Sequence, residues 1–149
     1  MEFNKVGNII YPEGFISNYI YCHSGLNSDL EEIIDKSGEK AQFGRKFRKA
    51  LKFLEALKKG CTNQSQIFEK LKREEYFYSM KIKDKHNVRI IFSFFEYGGK
   101  EIVILLYAFP EKSPAKQKNP KSYSYAIEKA KERLEELKST YPDLKVVTT

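Results

Sequence analysis

The stretch from Tyr76 to Lys121 holds the side chains whose types and spacing suggest chemistry. Arg89 stands inside the apolar run Val88-Arg89-Ile90-Ile91-Phe92, and Lys81 and Lys83 alternate with Met80 and Ile82 just ahead of it. A guanidinium in such a run is costly to bury without an anion. We read that anion as a phosphate, which arginine matches bidentately, in preference to a core carboxylate. The nearby acids Asp84, Glu96 and Glu101 fall in or beside turns. Side chains alternate across a strand, so Lys81 and Lys83 share a face; they converge with Arg89 on one cationic patch or guard an open sheet edge. Tyr107 lies among aliphatic residues, as a core tyrosine or as a group that stacks on a base or donates a proton. His86 is a turn histidine at the surface or a general base. Lys112 adds a further cation. A small sheet with cations on one face can hold a phosphate backbone.

More positive charge flanks this stretch. Arg45, Lys46, Arg48, Lys49 and Lys52 crowd the outer face of a helix whose one acid is Glu55, and Lys85, Lys116, Lys118 and Lys121 lie in the turns and loop around the strands. That helix face is read as a solvated surface or as an RNA- or ribosome-binding one. The 149 residues carry 27 Lys+Arg against 20 Asp+Glu, a formal charge of +7 that favours a polyanionic partner. The two cysteines, Cys22 and Cys61, are far apart and the two histidines, His23 and His86, do not complete a zinc spacing. We expect buried thiols in a reducing compartment, no metal and no cofactor. The first residues lack the basic and apolar regions of a signal peptide, and no apolar run reaches membrane-spanning length. The expected location is the cytoplasm, with no membrane partner.

The elements that must position these residues are expected as one α+β domain over 1–149, with 1–14 an N-terminal extension and 140–149 a tail. Val6 to Tyr11 reads as a short edge strand and Phe15 to Cys22 as the first full strand. Ser28-Asp29-Leu30-Glu31 has the pattern of a capping box, predicting a helix that ends by Gly38. Phe43, Phe47, Ala50, Leu51, Leu54 and Leu57 recur at helical steps, predicting a helix from about Phe43 to Lys59 with Gly60 just past its end. Cys61 to Glu75 reads as a polar connector with a helical turn around Ser65 to Lys72. Phe77 to Lys83, Val88 to Tyr97 and Glu101 to Phe109 are three strands of an antiparallel meander, the last two joined by Gly98-Gly99. Ile127, Ala130, Leu134 and Leu137 mark a closing helix that starts near Asn119 to Ser122 and ends by about Ser139. The expected architecture is therefore a small antiparallel sheet, the meander plus an N-terminal strand, packed by two N-terminal helices and a C-terminal helix.

The sequence contains no GxSxG, P-loop, HExxH or glycine-rich dinucleotide motif, which points away from the common hydrolases and nucleotide-using enzymes. The order of elements instead resembles the RelE/ParE superfamily, and most of all its phage-derived, HigB-like branch of toxin–antitoxin toxins. The resemblance runs from about Phe43 to Leu137. It is carried by Phe47 to Glu55, by Phe77-Tyr78-Ser79-Met80-Lys81-Ile82, by Val88 to Phe92, by Leu105 to Phe109 with Glu111-Lys112-Ser113, by Asn119-Pro120, and by Ala126 to Leu134. Lys81 stands where the family often has arginine, Tyr107 where this branch often has histidine, and Glu111 where a basic residue is common.

The resemblance implies a RelE-like fold and the toxin of a type II toxin–antitoxin system: a ribosome-dependent mRNA endonuclease that blocks translation. Its partners would be the ribosome, mRNA and a cognate antitoxin, a small helix-turn-helix protein. The implied reaction is metal-independent attack of an RNA 2′-hydroxyl on the adjacent phosphate. Arg89 and Lys81 would stabilise phosphate charge, Lys83 or His86 would help deprotonate the hydroxyl, and Tyr107 or Lys112 would assist departure of the 5′-oxygen. The alternatives on the same fold are a non-catalytic RNA- or ribosome-binding module and a ParE-like, gyrase-directed toxin.

Overall fold

The computed structural model describes residues 5–35, 39–72, 74–83, 87–111 and 120–148, with side chains from 123 onward in the last segment. Strands β1 (Val6–Gly7) and β2 (Ile20–His23) precede helices α1 (Leu26–Asp35) and α2 (Lys40–Leu57), which a 3-10 segment (Lys58–Asn63) follows. Strands β3 (Phe68–Lys70), β4 (Tyr78–Ile82), β5 (Asn87–Tyr97) and β6 (Lys100–Glu111) come next. Helix α3 (Pro120–Thr140) and strand β7 (Lys145–Val146) close the chain.

The protein is α+β, and among the described residues the strands form one sheet in the order β1-β2-β6-β5-β4-β3, with β7 against β5. The meander β4-β5-β6 is antiparallel as expected. The N-terminal strand departs from expectation. β2 pairs parallel with β6, Ile20 opposite Val103 and Cys22 opposite Leu105, so the sheet is mixed rather than antiparallel. Parallel pairing needs a crossover of a dozen or more residues, and the chain between β2 and β4 supplies it through α1 and α2.

Two apolar layers hold the sheet. On one face Leu26, Leu30 and Ile34 of α1 and Phe43, Phe47, Leu51 and Leu54 of α2 bury against Met80, Ile90, Phe92, Phe94, Val103 and Leu105. On the other, Ala126, Ala130, Leu134 and Leu137 of α3 cover Ile91, Phe95, Ile102, Ile104, Leu106 and Phe109. The two alanines, both fully buried, let α3 approach the strands closely. The β5–β6 turn is Gly98-Gly99 with φ of 61° and 77°, the left-handed backbone that a two-residue hairpin needs. Cys22 and Cys61 are free thiols, and burial pushes both up to about 12.

Several local expectations need correction. α1 starts at Leu26, so Ser28 lies within its first turn and no capping box forms. Asn27 supplies a different lock, accepting the N–H groups of Ile10 and Tyr11, both at 3.1 Å. α2 ends earlier than expected, and Lys58, not Gly60, takes the positive φ of 53° while its N–H reaches Leu54 O. The polar connector holds strand β3, which pairs with β4 through Phe68 opposite Met80. Phe15 makes only an isolated bridge with Ile9, and the strand of that region begins at Ile20. Among the described residues no helix is long and apolar enough to cross a membrane.

β2 stops opposite Leu105, while β6 runs on to Glu111. The exposed edge of β6 beyond that point is met by side chains. Asp29 of α1 accepts the Ala108 N–H at 3.3 Å, and Arg133 of α3 donates to Leu106 O at 2.8 Å. The two join each other in a bidentate pair at 2.6 and 3.1 Å. Gly25 packs on the same guanidinium, since a Cβ there would lie 2.6 Å from Arg133 Nη2. Replacing Arg133 by Met leaves a buried carboxylate and a strand carbonyl without their partner, and should cost about 3–5 kcal/mol in urea unfolding.

His23 lies beside this junction, its Nδ1 accepting the Gly25 N–H and its Nε2 bonded to Glu136. Burial, with Arg133 adding to it, holds the imidazole below its ordinary 6.5, against the opposing pull of Glu136 and Asp29. The native state keeps His23 neutral where the unfolded chain would take up a proton. Its contribution to stability is therefore present above 6.5 and is lost as the pH falls below that value. His23→Gln should flatten the fall in stability below pH 6.5, read as urea midpoints across a pH series.

Candidate nucleic-acid interface

β4 and β5 place Lys81 directly opposite Arg89, and β5 and β6 place Ile91 opposite Tyr107 and Arg89 opposite Phe109. A register shift follows between Ile91 and Phe92, where Leu106 has no partner on β5. Leu106 and Tyr107 consequently both face α3. Arg89 is two residues from Ile91 on an unbroken stretch, so Arg89, Lys81 and Tyr107 project from the same face of the sheet.

That face is packed by α3, and its two sharpest residues are engaged within the fold. Arg89 forms an ion pair with Glu111, with only 11% and 9% of the two side chains exposed. The carboxylate paired with Arg89 thus comes from the far end of the neighbouring strand, two ladder positions beyond Phe109 and on the same face. Tyr123 of α3 lies in the electrostatic reach of both partners, and burial raises its phenol above the ordinary range. Tyr107 stacks on Phe109 with centroids 6.2 Å apart and carries the Arg133 guanidinium over its ring at 5.0 Å. Burial, followed by the nearby Asp29, raises the Tyr107 phenol as well, so it holds its proton more tightly than a free tyrosine.

The lysines are arranged differently. Lys81 is half-buried near the end of β4 and turns its ammonium toward the segment before β3, donating to Ser65 O at 3.1 Å. Lys46 of α2 reaches the opposite rim and donates to Lys83 O at 2.7 Å. Between them lies a cleft of about 420 Å³ lined by Lys46, Lys49, Gln66, Ile67, Lys81 and Lys83. A second groove of about 500 Å³ runs along α2, lined by Arg45, Arg48, Lys49, Lys52 and Phe53, so Lys49 borders both spaces. The amphipathic spacing of α2 causes this layout: its apolar residues bury toward the sheet and leave these cations outward.

The structure therefore gathers Lys81 and Lys83 with the helix cations, while Arg89 and Tyr107 stand under α3. Lys85, His86, Lys112, Lys116 and Lys118 lie outside the described residues, and Lys121 is described in backbone only. Sequence reasoning missed Gln66, the Ser65 carbonyl and Phe53 on the cationic side, and Glu111 on the other. Glu111 was open to discovery: on one strand it shares parity with Phe109, the residue opposite Arg89. Among the described residues no three His, Cys, Asp or Glu side chains converge to hold a metal ion.

The buried pair has a measurable consequence. Arg89→Met alone leaves Glu111 as an unpaired buried charge and should lose about 3–5 kcal/mol in urea unfolding. The double change Arg89→Met with Glu111→Leu removes both charges and should recover most of that loss. Compared with protein-family models, with curated proteins and with solved structures, the chain matches none.

Proposed function

We propose that this protein binds RNA, holding the phosphate backbone in the lysine cleft between α2 and β4. The supporting observation is the cleft itself. Four lysines, two from α2, one from β4 and one just after it, border one concave space, and two of them donate to backbone carbonyls. An ammonium has three donors, so Lys81 keeps N–H groups for an anion after its bond to Ser65 O. Fixing a long side chain in advance lowers the entropy lost on binding. A phosphodiester chain fits this surface better than a single small anion does, because the cations continue along α2 through Arg45, Arg48 and Lys52.

On the strength of the sequence resemblance, the biological setting we propose is that of a type II toxin. The protein would engage mRNA on the ribosome, with a helix-turn-helix antitoxin as its neutralising partner, on a RelE-like variant of the α+β frame. Cleavage is the second reading, favoured by Lys81 and Lys83 standing together at the cleft. There the 2′-oxygen would attack phosphorus and the 5′-oxygen would leave. Lys81 would steady the phosphate, Lys83 in its neutral form or His86 would take the 2′-hydroxyl proton, and Lys112 would give a proton to the departing 5′-oxygen. Arg89 and Tyr107 would act only after rearrangement of the α3 face, since Glu111 and Arg133 engage them.

The binding reading is tested by titrating an RNA oligonucleotide at several salt concentrations. Lys81→Ala and Lys46→Ala should each weaken binding and lower the slope of log K against log salt by about 0.7, the value for one lost contact to a single strand. Unchanged affinity in the Lys46→Ala/Lys81→Ala double variant would overturn it. For the cleavage reading, induced expression with transcript-end mapping should give new ends within translated messages that disappear in Lys81→Ala. Intact messages from the wild-type protein would leave RNA binding alone.

A further inference from the structure

We infer that Phe53 is a stacking platform for an unpaired nucleobase, in the α2 groove next to the lysine cleft. This rests on the RNA-binding reading above and adds to it a base-binding subsite. α2 sorts its residues sharply. Phe43, Phe47, Ala50, Leu51 and Leu54 are fully buried, and the groove's other lining residues, Arg45, Arg48, Lys49 and Lys52, are exposed cations. Phe53 belongs to neither set. It packs against the core only in part and leaves the remainder of its ring in the groove floor. An aromatic surface framed by cations suits single-stranded RNA, in which bases stack on rings while the backbone follows the charges.

The position of Lys49 links the two spaces. Its ammonium lies 6.0 Å from the Phe53 ring centroid and it also lines the lysine cleft. A nucleotide whose phosphate occupies the cleft can therefore lay its base over Phe53. Lys49 then moves from the ring to the phosphate, exchanging a cation–π contact for a charge–charge one. Arg48 is tethered at the groove's other end by Glu13 at 3.5 Å and by the Phe15 ring at 5.8 Å. Every base offers a π-face, so this subsite is tolerant of sequence. A duplex keeps its bases inside the stack and would meet the cations but not the ring.

The test uses the full chain and one RNA oligonucleotide carrying 2-aminopurine, presented single-stranded and as a duplex with its complement. Stacking on Phe53 should quench the 2-aminopurine fluorescence of the single strand. Phe53→Leu, which keeps apolar volume at the core-facing side, should abolish the quench and weaken single-strand binding about tenfold, with duplex binding unchanged. Phe53→Tyr should restore both. An unquenched probe on the bound wild-type protein would overturn the subsite, as would a Phe53→Leu variant that binds and quenches normally. If the wild-type protein binds neither RNA, the RNA-binding reading itself falls. The wild-type quench does not depend on any variant folding.

Discussion

The ion pair between Asp29 and Arg133 supports the architecture because it stands where a strand is missing. A parallel strand four residues long cannot pair the whole of a twelve-residue neighbour. The unpaired groups of β6 would be left at a partly buried edge, where an unsatisfied amide or carbonyl costs about 1–3 kcal/mol each. Asp29 and Arg133 take up one of each, at Ala108 and Leu106, and neutralise one another in doing so. Because Asp29 comes from α1 and Arg133 from α3, the same bond ties together helices that pack on opposite faces. The register shift at Leu106 and Tyr107 sits within this junction, so the aim of the α3-facing side chains of β6 depends on it.

Arg89 and the α2 cations show two ways of keeping positive charge. Arg89 is almost enclosed and is paired by Glu111 at the end of the neighbouring strand. Such a pair stabilises little relative to an apolar core, yet neither half tolerates loss of the other. Lys46, Lys49, Lys81 and Lys83 stay at the rim of an open cleft, where hydration supports them and a polyanion can reach them. The burial of each group, more than its charge, decides which of the two roles the fold gives it.

The sequence revealed elements where a strong local signal coincided with the tertiary solution. The alternating and continuous apolar runs of β5 and β6, with Gly98-Gly99 between them, announced the hairpin because glycine fits the turn and the runs suit a strand buried on both faces. The three- and four-residue spacing from Phe43 to Leu54 announced α2 for the same reason. β3 escaped because Phe68, Glu69 and Lys70 are too few to show alternation; only pairing with β4 makes them a strand. The Ser28-to-Glu31 pattern misled because the helix could start earlier at Leu26, freeing Asp29 for Arg133. The parallel pairing of β2 was illegible, since no local pattern distinguishes it from an antiparallel neighbour. At the site, the lysines of the cleft were each visible as cations, but their convergence depends on how α2 crosses β4. Phe53 was hidden because an aromatic on a helix is usually core.

The composition of α2 carries a cost that plain solvation does not require. Arg45 and Lys49, and Arg48 and Lys52, are like charges four residues apart; Arg45 and Arg48, Lys46 and Lys49, and Lys49 and Lys52 are three apart. Each such pair destabilises a helix by about 0.2–0.5 kcal/mol. Glu55, the one acid within the helix, is already hydrogen-bonded by Ser17 at 2.6 Å and does little to relieve them. A solvated face would serve as well with glutamates interleaved at these positions, where each repulsion would become an attraction of similar size. The helix is held instead by Phe43, Phe47, Leu51 and Leu54, whose burial contributes about 1.5–3 kcal/mol apiece and exceeds the repulsion several-fold. The core thus tolerates a concentration of charge that Glu13 offsets at Arg48.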